Sequence, residues 1–309
     1  MQIYLPIAEM TVNFFEIFML GIGVGVLSGI FGIGGGFLMT PVLIFLGIPT
    51  IVAVSTQSTQ IMASSFSSLF SYQKKNMVDF KMAGILLIGG ITGSIAGACL
   101  FKLLKQQGYI EIVITICYII FLISVGTIML IEGFASSIKR FSRQKKRDFS
   151  KISKGKSKWL DKIPLQTYFT QSDIRSSVIP PVVLGIFVGL LSALMGVGGG
   201  FILIPAMIYL LKMPSNTIVG TSLLNVLVIS IVSTIMHSVY NQTIDGILSS
   251  LLIISSVIGA QIGVRLSTRL KAAQMRTILG ILILSLGVIL CINLVVRPQE
   301  LFSLYSDTL

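Results

Sequence analysis

The residues of this chain best suited to chemistry are glycines, hydroxyls and amides, and they come in two matched sets. The first is Ser28, Gly32, Gly34, Gly35 and Gly36, followed by Thr56, Gln57 and Gln60. The second is Ser192, Gly196, Gly198, Gly199 and Gly200, followed by Thr221, Ser222 and Asn225. Glycine takes positive φ without strain and lets another backbone approach closely, so a GxGGG run allows one helix to end and another to restart. Helices restarting at Gly36 and Gly200 would aim N-terminal N–H groups at whatever lies between them, which favours an anion. Hydroxyl and amide side chains can donate to an oxyanion without supplying a counter-charge. The set therefore implies binding of a small anion by neutral donors along a path. For any single hydroxyl or amide, interhelical hydrogen bonding, worth about 0.6 kcal/mol on average, is an equal alternative. For the glycines the alternative is tight helix packing, which is the preferred reading at Gly93, Gly97, Gly259 and Gly263.

Other reactive residues offer little. No acidic residue sits mid-span as a proton relay would need. Asp79 and Asp245 occupy matching loop ends and read as helix caps ahead of gates, and the lone His237 reads as a packed or interfacial histidine. Cys99, Cys117 and Cys291 are isolated, without the spacing of a metal or redox centre, and read as packing residues. Gly155, Lys156 and Ser157 approach a phosphate loop, but Ser150 occupies the position of its first glycine. Gly21, Gly23 and Gly25 do not complete GxGxxG. The sequence calls for no enzyme activity, no cofactor and no metal.

The elements that position these residues follow from composition. Hydrophobic residues make up 54% of 309 and charged ones 11%, with a mean hydropathy of +0.94, whereas soluble domains carry about 25% charged residues. Apolar runs at Phe14–Phe31, Met82–Leu104, Ile110–Ile131, Ile247–Leu266 and Ile278–Val296 approach or exceed the roughly 20 residues that span a bilayer. Continuous runs predict helices, since a lipid-exposed backbone must satisfy its own hydrogen bonds, and not the alternating segments of a barrel.

Two halves share one plan. Gly21 to Phe37, GIGVGVLSGIFGIGGGF, then Pro41, is matched by Gly185 to Phe201, GIFVGLLSALMGVGGGF, then Pro205. Val54 to Gln57 answers Val219 to Ser222, Asp79 answers Asp245, and Gly93 with Gly97 answers Gly259 with Gly263. Each half reads as a span, a glycine break, a short segment (Phe37–Leu46; Phe201–Leu211), a polar-flecked segment (Ile51–Tyr72; Ile218–Tyr240) and two full spans. At 1.5 Å per residue the short segment covers about half the bilayer core, as a half-helix or one arm of a re-entrant hairpin. Either way the number of crossings per half is odd, so the second copy inverts. The expected fold is an all-α polytopic membrane protein of two inverted repeats, with about eight to ten transmembrane segments. Residues 1–133 and 179–309 form the repeats, and 134–178 a basic loop between them.

The net charge of +12 is concentrated in that loop, not spread as nucleic-acid binding would require. Lys139, Arg140, Arg143, Lys145, Lys146, Arg147, Lys151, Lys154, Lys156, Lys158, Lys162 and Arg175 supply 12 of the 23 basic residues. Such loops stay cytoplasmic, which places Lys74, Lys75, Lys81, Lys212, Arg265, Arg269, Lys271 and Arg276 inside as well and both termini outside. Lys102, Lys105 and Arg297 are exceptions. The loop reads first as a solvated topology signal and second as a surface for anionic lipid. Met1–Leu20 reads as the lead-in to the first span, without a cleavable signal.

The GxxxGxxSGxxGxGGGFxxxPxL pattern, its copy after a hydrophilic loop and the GxxxG element closing each half resemble the TauE/SafE, or sulfite exporter, family of membrane permeases over about Phe14 to Val296. The chain departs in its long Lys-rich loop and in Ala193, which stands where the first copy has Gly29. The resemblance implies a multi-pass protein of the bacterial inner membrane that exports small sulfur-containing anions such as sulfite, sulfoacetate or other organosulfonates. An inside-negative potential would aid such export by roughly 2.3 kcal/mol per charge per 100 mV. A transporter of another small anion, a channel or metal-cation permease, and a non-transporting scaffold are the alternatives, the scarcity of in-membrane acids weighing against a metal. The expected partners are the anion and the bilayer, and homo-oligomerisation is left open.

Overall fold

The structure is a computed structural model that describes residues 2–31, 35–73, 77–141, 166–169, 174–211, 213, 215–267 and 272–296. Gly32, Gly34, most of the basic loop, and Lys74, Lys75, Lys212, Arg269, Lys271 and Arg297 lie outside the described residues.

The first half of the chain runs β1 (Gln2–Leu5), β2 (Met10–Asn13), α1 (Phe14–Phe31), α2 (Gly36–Phe45), α3 (Thr50–Gln73), α4 (Phe80–Gln106) and α5 (Ile110–Phe141). The second runs β3 (Gln166–Phe169), β4 (Ile174–Ser177), α6 (Ile179–Met195), α7 (Gly200–Tyr209), α8 (Ser215–Met236), a π-helical turn (His237–Asn241), α9 (Gly246–Ser267) and α10 (Ala272–Val296). The order of elements is the same in both. Among the described residues, five helical stretches are long and apolar enough to cross a membrane: Phe14–Phe31, Phe80–Gln106, Ile110–Ile131, Thr217–Asn241 and Gly246–Leu266. Four coincide with runs read from the sequence. The fifth is the polar-flecked segment of the second half, whereas Gly280–Ile292 is apolar but shorter.

Two antiparallel hairpins are an addition to the all-α expectation. They match in register: Gln2 pairs Asn13 and Leu5 pairs Met10, while Gln166 pairs Ser177 and Phe169 pairs Ile174. Four-residue strands leave no hydropathy run, and the second pair lies within the basic loop, where charge dominates the composition.

Both glycine breaks are real ends of helices. Gly35 (φ 70°) and Gly199 (φ 69°) stand in the left-handed region ahead of α2 and α7, and Gly196 (φ 65°) closes α6 with its N–H donating to Ser192 O at 2.9 Å. Only glycine adopts this conformation without cost. Ten residues each, α2 and α7 are about 15 Å long, half of a hydrocarbon core.

The chain gathers into two compact units. Met1–Ile110 with Lys145–Arg269 forms the larger. Within it α1 packs on α9 and α4 on α6, so each half lends a helix to the other. Glycines permit these crossings: a Cβ on Gly25 would stand 2.5 Å from Ser256 O, and one on Gly97 would stand 2.6 Å from Leu190 O. Gly259 and Gly263 lie against Ile22 O and Val26 O, and Gly93 against Ile186 O, in keeping with their reading as packing contacts. The smaller unit, Glu111–Gln144 with Leu270–Leu309, brings α5 onto α10 through Gly126 at Leu284 and Gly280 at Leu130.

Candidate functional site

The glycine breaks converge on α3 and α8. A Cβ on Gly198 would meet Ile61 of α3 at 2.7 Å and Val226 of α8 at 3.3 Å, and one on Gly196 would meet Val54 O at 2.6 Å. Gly36 faces Gly196 O, and Phe37 and Phe201, the matched residues that follow the breaks, stack with ring centroids 4.6 Å apart. Ser28 lies at the first break, its Cβ 3.0 Å from where a Cβ of Gly35 would be, and Ser192 is buried at the second. Ser28, Gly35, Gly36, Thr56, Gln57, Gln60, Ser192, Gly196, Gly198, Gly199, Gly200, Thr221, Ser222 and Asn225 are all buried.

Those side chains divide by what they bond. Thr56 and Thr221 tie helices together: Thr56 Oγ1 accepts from Asp245 N–H at 3.1 Å, and Thr221 Oγ1 accepts from Asp79 N–H at 2.9 Å while donating to Thr217 O at 2.6 Å. Asp79 and Asp245 are caps, as read from the sequence. Asp79 Oδ1 accepts from the N–H groups of Lys81 and Met82, and Asp245 Oδ1 from those of Ile247 and Leu248. Asp245 Oδ2 also accepts from Ile7 N–H at 3.0 Å, which fastens the first hairpin to the start of α9.

Much of the remaining polar load of α3 is spent between helices. Ser55 bonds Thr243 at 2.6 Å, Thr59 bonds Ser249 at 2.6 Å, Ser58 bonds Ser233 at 3.2 Å, and Gln261 Nε2 donates to Ser67 Oγ at 2.7 Å. For these hydroxyls the interhelical reading holds.

A second group has atoms with no hydrogen-bond partner among the described residues: Ser28 Oγ, Gln57 Oε1, Gln60 Nε2, Ser65 Oγ, Ser68 Oγ and Asn225 Oδ1. Gln57 Nε2 donates to Gln60 Oε1, and Asn225 Nδ2 donates to Thr221 O at 2.9 Å. Asn225 follows Thr221 by four residues as Gln60 follows Thr56, so the two amides hold matched places on adjacent helices. A polar atom buried without a partner costs about 1–3 kcal/mol, and native proteins rarely carry several together without a use for them. Ser65 and Ser68 belong to this group although their type and spacing alone do not separate them from their bonded neighbours. Ser94 Oγ, inside the Gly93–Gly97 element, is a further buried unpartnered hydroxyl.

The π turn holds His237 as a packed residue. Its Nε2 bonds Ala193 O at 2.9 Å, Asn241 Nδ2 lies 3.0 Å from Nδ1, and Phe101 meets its ring edge-on. The second half has one more residue between Thr221 and Asp245 than the first has between Thr56 and Asp79, and the π turn lies in that interval. Such turns accommodate single insertions. Lys105 Nζ donates to Asn241 O at 3.1 Å and Lys102 stands over the Tyr240 ring, so two basic exceptions to the charge pattern have local partners. The cysteines are free, and Cys99 is exposed on α4, which corrects its reading as a packing residue. Among the described residues no group of His, Cys, Asp and Glu could hold a metal.

A sequence profile described as "Sulfite exporter TauE/SafE" matches residues 17–290. The chain belongs to this family of membrane transporters. Within the curated relatives it is 26% identical to the Probable membrane transporter protein YjnA of Bacillus subtilis (strain 168), covering 88% of this chain and 97% of that protein. It is 26% identical to the Probable membrane transporter protein YunE of the same organism over 74% of this chain and 79% of that one. Sulfite exporter TauE/SafE family protein 1 of Arabidopsis thaliana is 33% identical over 29% of this chain and 20% of its own length. No solved structure matches. As a TauE/SafE transporter the chain is a multi-pass membrane protein, and its glycine breaks and buried amides lie within the matched residues.

Proposed function

We propose that the protein moves small sulfur-containing anions, sulfite or organosulfonates, outward across the cell membrane through a site between α3 and α8. The observation that carries this reading is the set of buried, unpartnered amide and hydroxyl groups, Gln57, Gln60, Asn225, Ser28 and Ser65, gathered on the helices that meet the two breaks. Neutral donors with exposed helix N–H groups suit an anion. Gly34, Gly35 and Gly36, with Gly198, Gly199 and Gly200, would present those N–H groups, and Gly32, Gly196, Ser192, Thr56, Thr221 and Ser222 would frame them. The described members of this set are all buried, as in a state closed to both sides.

Supporting an inverted duplication are the matched hairpin registers, the reciprocal Thr56–Asp245 and Thr221–Asp79 bonds and the stacking of Phe37 on Phe201. In our reading the basic segment within 134–178 faces the cytoplasm and both termini face outward. Labels at Met1 and Leu309 are then reached from outside intact cells and one at Lys145 is not; cytoplasmic termini would reverse the reading. Transport is tested by efflux of radiolabelled sulfite and sulfonates from liposomes holding the purified chain. Saturable flux abolished by Gln60→Leu supports the site. Absence of flux for any small anion from folded protein favours a scaffold, a reading that the backbone-to-backbone glycine contacts alone would satisfy.

A further inference from the structure

We infer that the site takes an oxyanion that still carries a proton, a monoanion with an O–H to donate, in preference to a fully deprotonated dianion; this rests on the permease reading above. Gln57 and Gln60 bond one another through their amides. Whichever way the two amides are turned, one amide nitrogen and one carbonyl oxygen of the pair are left over, as Gln60 Nε2 and Gln57 Oε1 are here. On α8, Asn225 spends its nitrogen on Thr221 O and leaves Oδ1 unpartnered. That oxygen cannot exchange roles with the nitrogen, because two acceptors would then face each other. Ile61 and Val226, the chain neighbours of Gln60 and Asn225, both meet Gly198, so the turns of α3 and α8 that carry the two amides flank the same glycine.

The site therefore offers a donor nitrogen, an adaptable hydroxyl at Ser28 beside the first break, and two oxygens that can only accept. An anion whose oxygens are all deprotonated gives those two oxygens nothing and repels them. A hydrogen-bearing monoanion satisfies donors and acceptors together. Charge points the same way. None of α2, α3, α6, α7 and α8 carries a Lys, Arg, Asp or Glu, and the carboxylates of Asp79 and Asp245 are engaged as caps. The cost of moving an ion out of water rises with the square of its charge, so a site without a counter-charge discriminates steeply against a dianion. Sulfite near neutral pH is a mixture of both forms; a sulfonate fits only where another of its groups supplies the donor.

The ionisable residues carried by α3, α8 and the elements packed against them are Asp79, Lys81, Cys99, Lys102 and Lys105 on or capping α4, Asp245 and Arg265 at the ends of α9, Glu16 on α1, Tyr72 on α3, Tyr209 on α7, and His237 and Tyr240 in the π turn; α2 and α6 bring none. Titration of any of these gives a pH profile common to every substrate, so the test uses two anions with different second pKa values. Initial rates of sulfite and selenite flux are measured in liposomes holding the full chain, at fixed total anion across a pH series, less the rates of protein-free liposomes. Each rate is expected to follow that anion's own monoanion fraction, falling about tenfold per pH unit above its second pKa, with the selenite curve displaced to higher pH. A shared midpoint for both anions, or rates that rise with the dianion fraction, overturns the inference and leaves the permease intact. No flux of either anion at any pH overturns both.

Discussion

The contact of α3 with α9 and that of α8 with α4 hold matched places in the two halves, yet they are built from different materials. The first is laced with hydroxyls and an amide: Ser55 to Thr243 in the loop before α9, Thr59 to Ser249, Ser67 to Gln261. The second is apolar, with Met82 and Leu86 of α4 buried in a cluster with Ile218 and Ile229 of α8 and with Val188, Leu203 and Met207. What the two share is one bond each, from the N–H of a capping aspartate to a threonine hydroxyl in the opposite half. A polar stretch in a membrane helix is therefore a poor guide to a site. Hydroxyls on α3 mostly replace packing that α8 obtains from methylenes.

The largest effects are expected at the helix crossings, where glycine lets backbones meet in both halves. Gly93→Leu and Gly259→Leu each force a side chain into a backbone, at Ile186 O and Ile22 O, and overpacking of this kind costs about 3 kcal/mol or more. Both variants are expected to lose the monodisperse peak in detergent size exclusion; survival of one alone would show the crossings to be unequal. Next, Leu86→Ala empties part of the apolar α4–α8 contact and is expected to cost about 2–5 kcal/mol, read as a lowered thermal midpoint. Thr56→Val and Thr221→Val each strand a buried aspartate N–H, for about 1–3 kcal/mol. Their near-equality in the same melt is the direct check on the reciprocal bond. The smallest effect belongs to the polar ties: Ser67→Ala or Thr59→Val should cost about 0.6 kcal/mol, with anion flux retained. A Ser67→Ala variant as damaging as Leu86→Ala would make the hydroxyls the main support of the α3–α9 contact.

Much of the fold is legible in the residues themselves. The breaks at Gly35 and Gly196 to Gly199 follow from glycine runs, the ten-residue α2 and α7 from the short apolar segments behind them, and the caps at Asp79 and Asp245 from acids placed just before long helices. The hairpins were not legible, since four residues per strand set up no periodicity. The candidate site was half legible. Gln57, Gln60 and Asn225 stand out as amides within membrane-length helices and keep unpartnered atoms, but Thr56 and Thr221 look equally suited to a ligand and are engaged elsewhere.

Residue order alone dictates that the chain lives in a membrane, that its segments are helical, where those helices break, and that two stretches follow one pattern. These are local matters of hydropathy and of the φ that glycine allows, settled within a few residues. Tertiary structure alone decided which polar atoms find partners. The bonds that answer this join Thr221 to Asp79 across 142 residues and Thr56 to Asp245 across 189. A hydroxyl's availability depends on what the other half of the chain brings to it, and no local property of the serine or threonine carries that information.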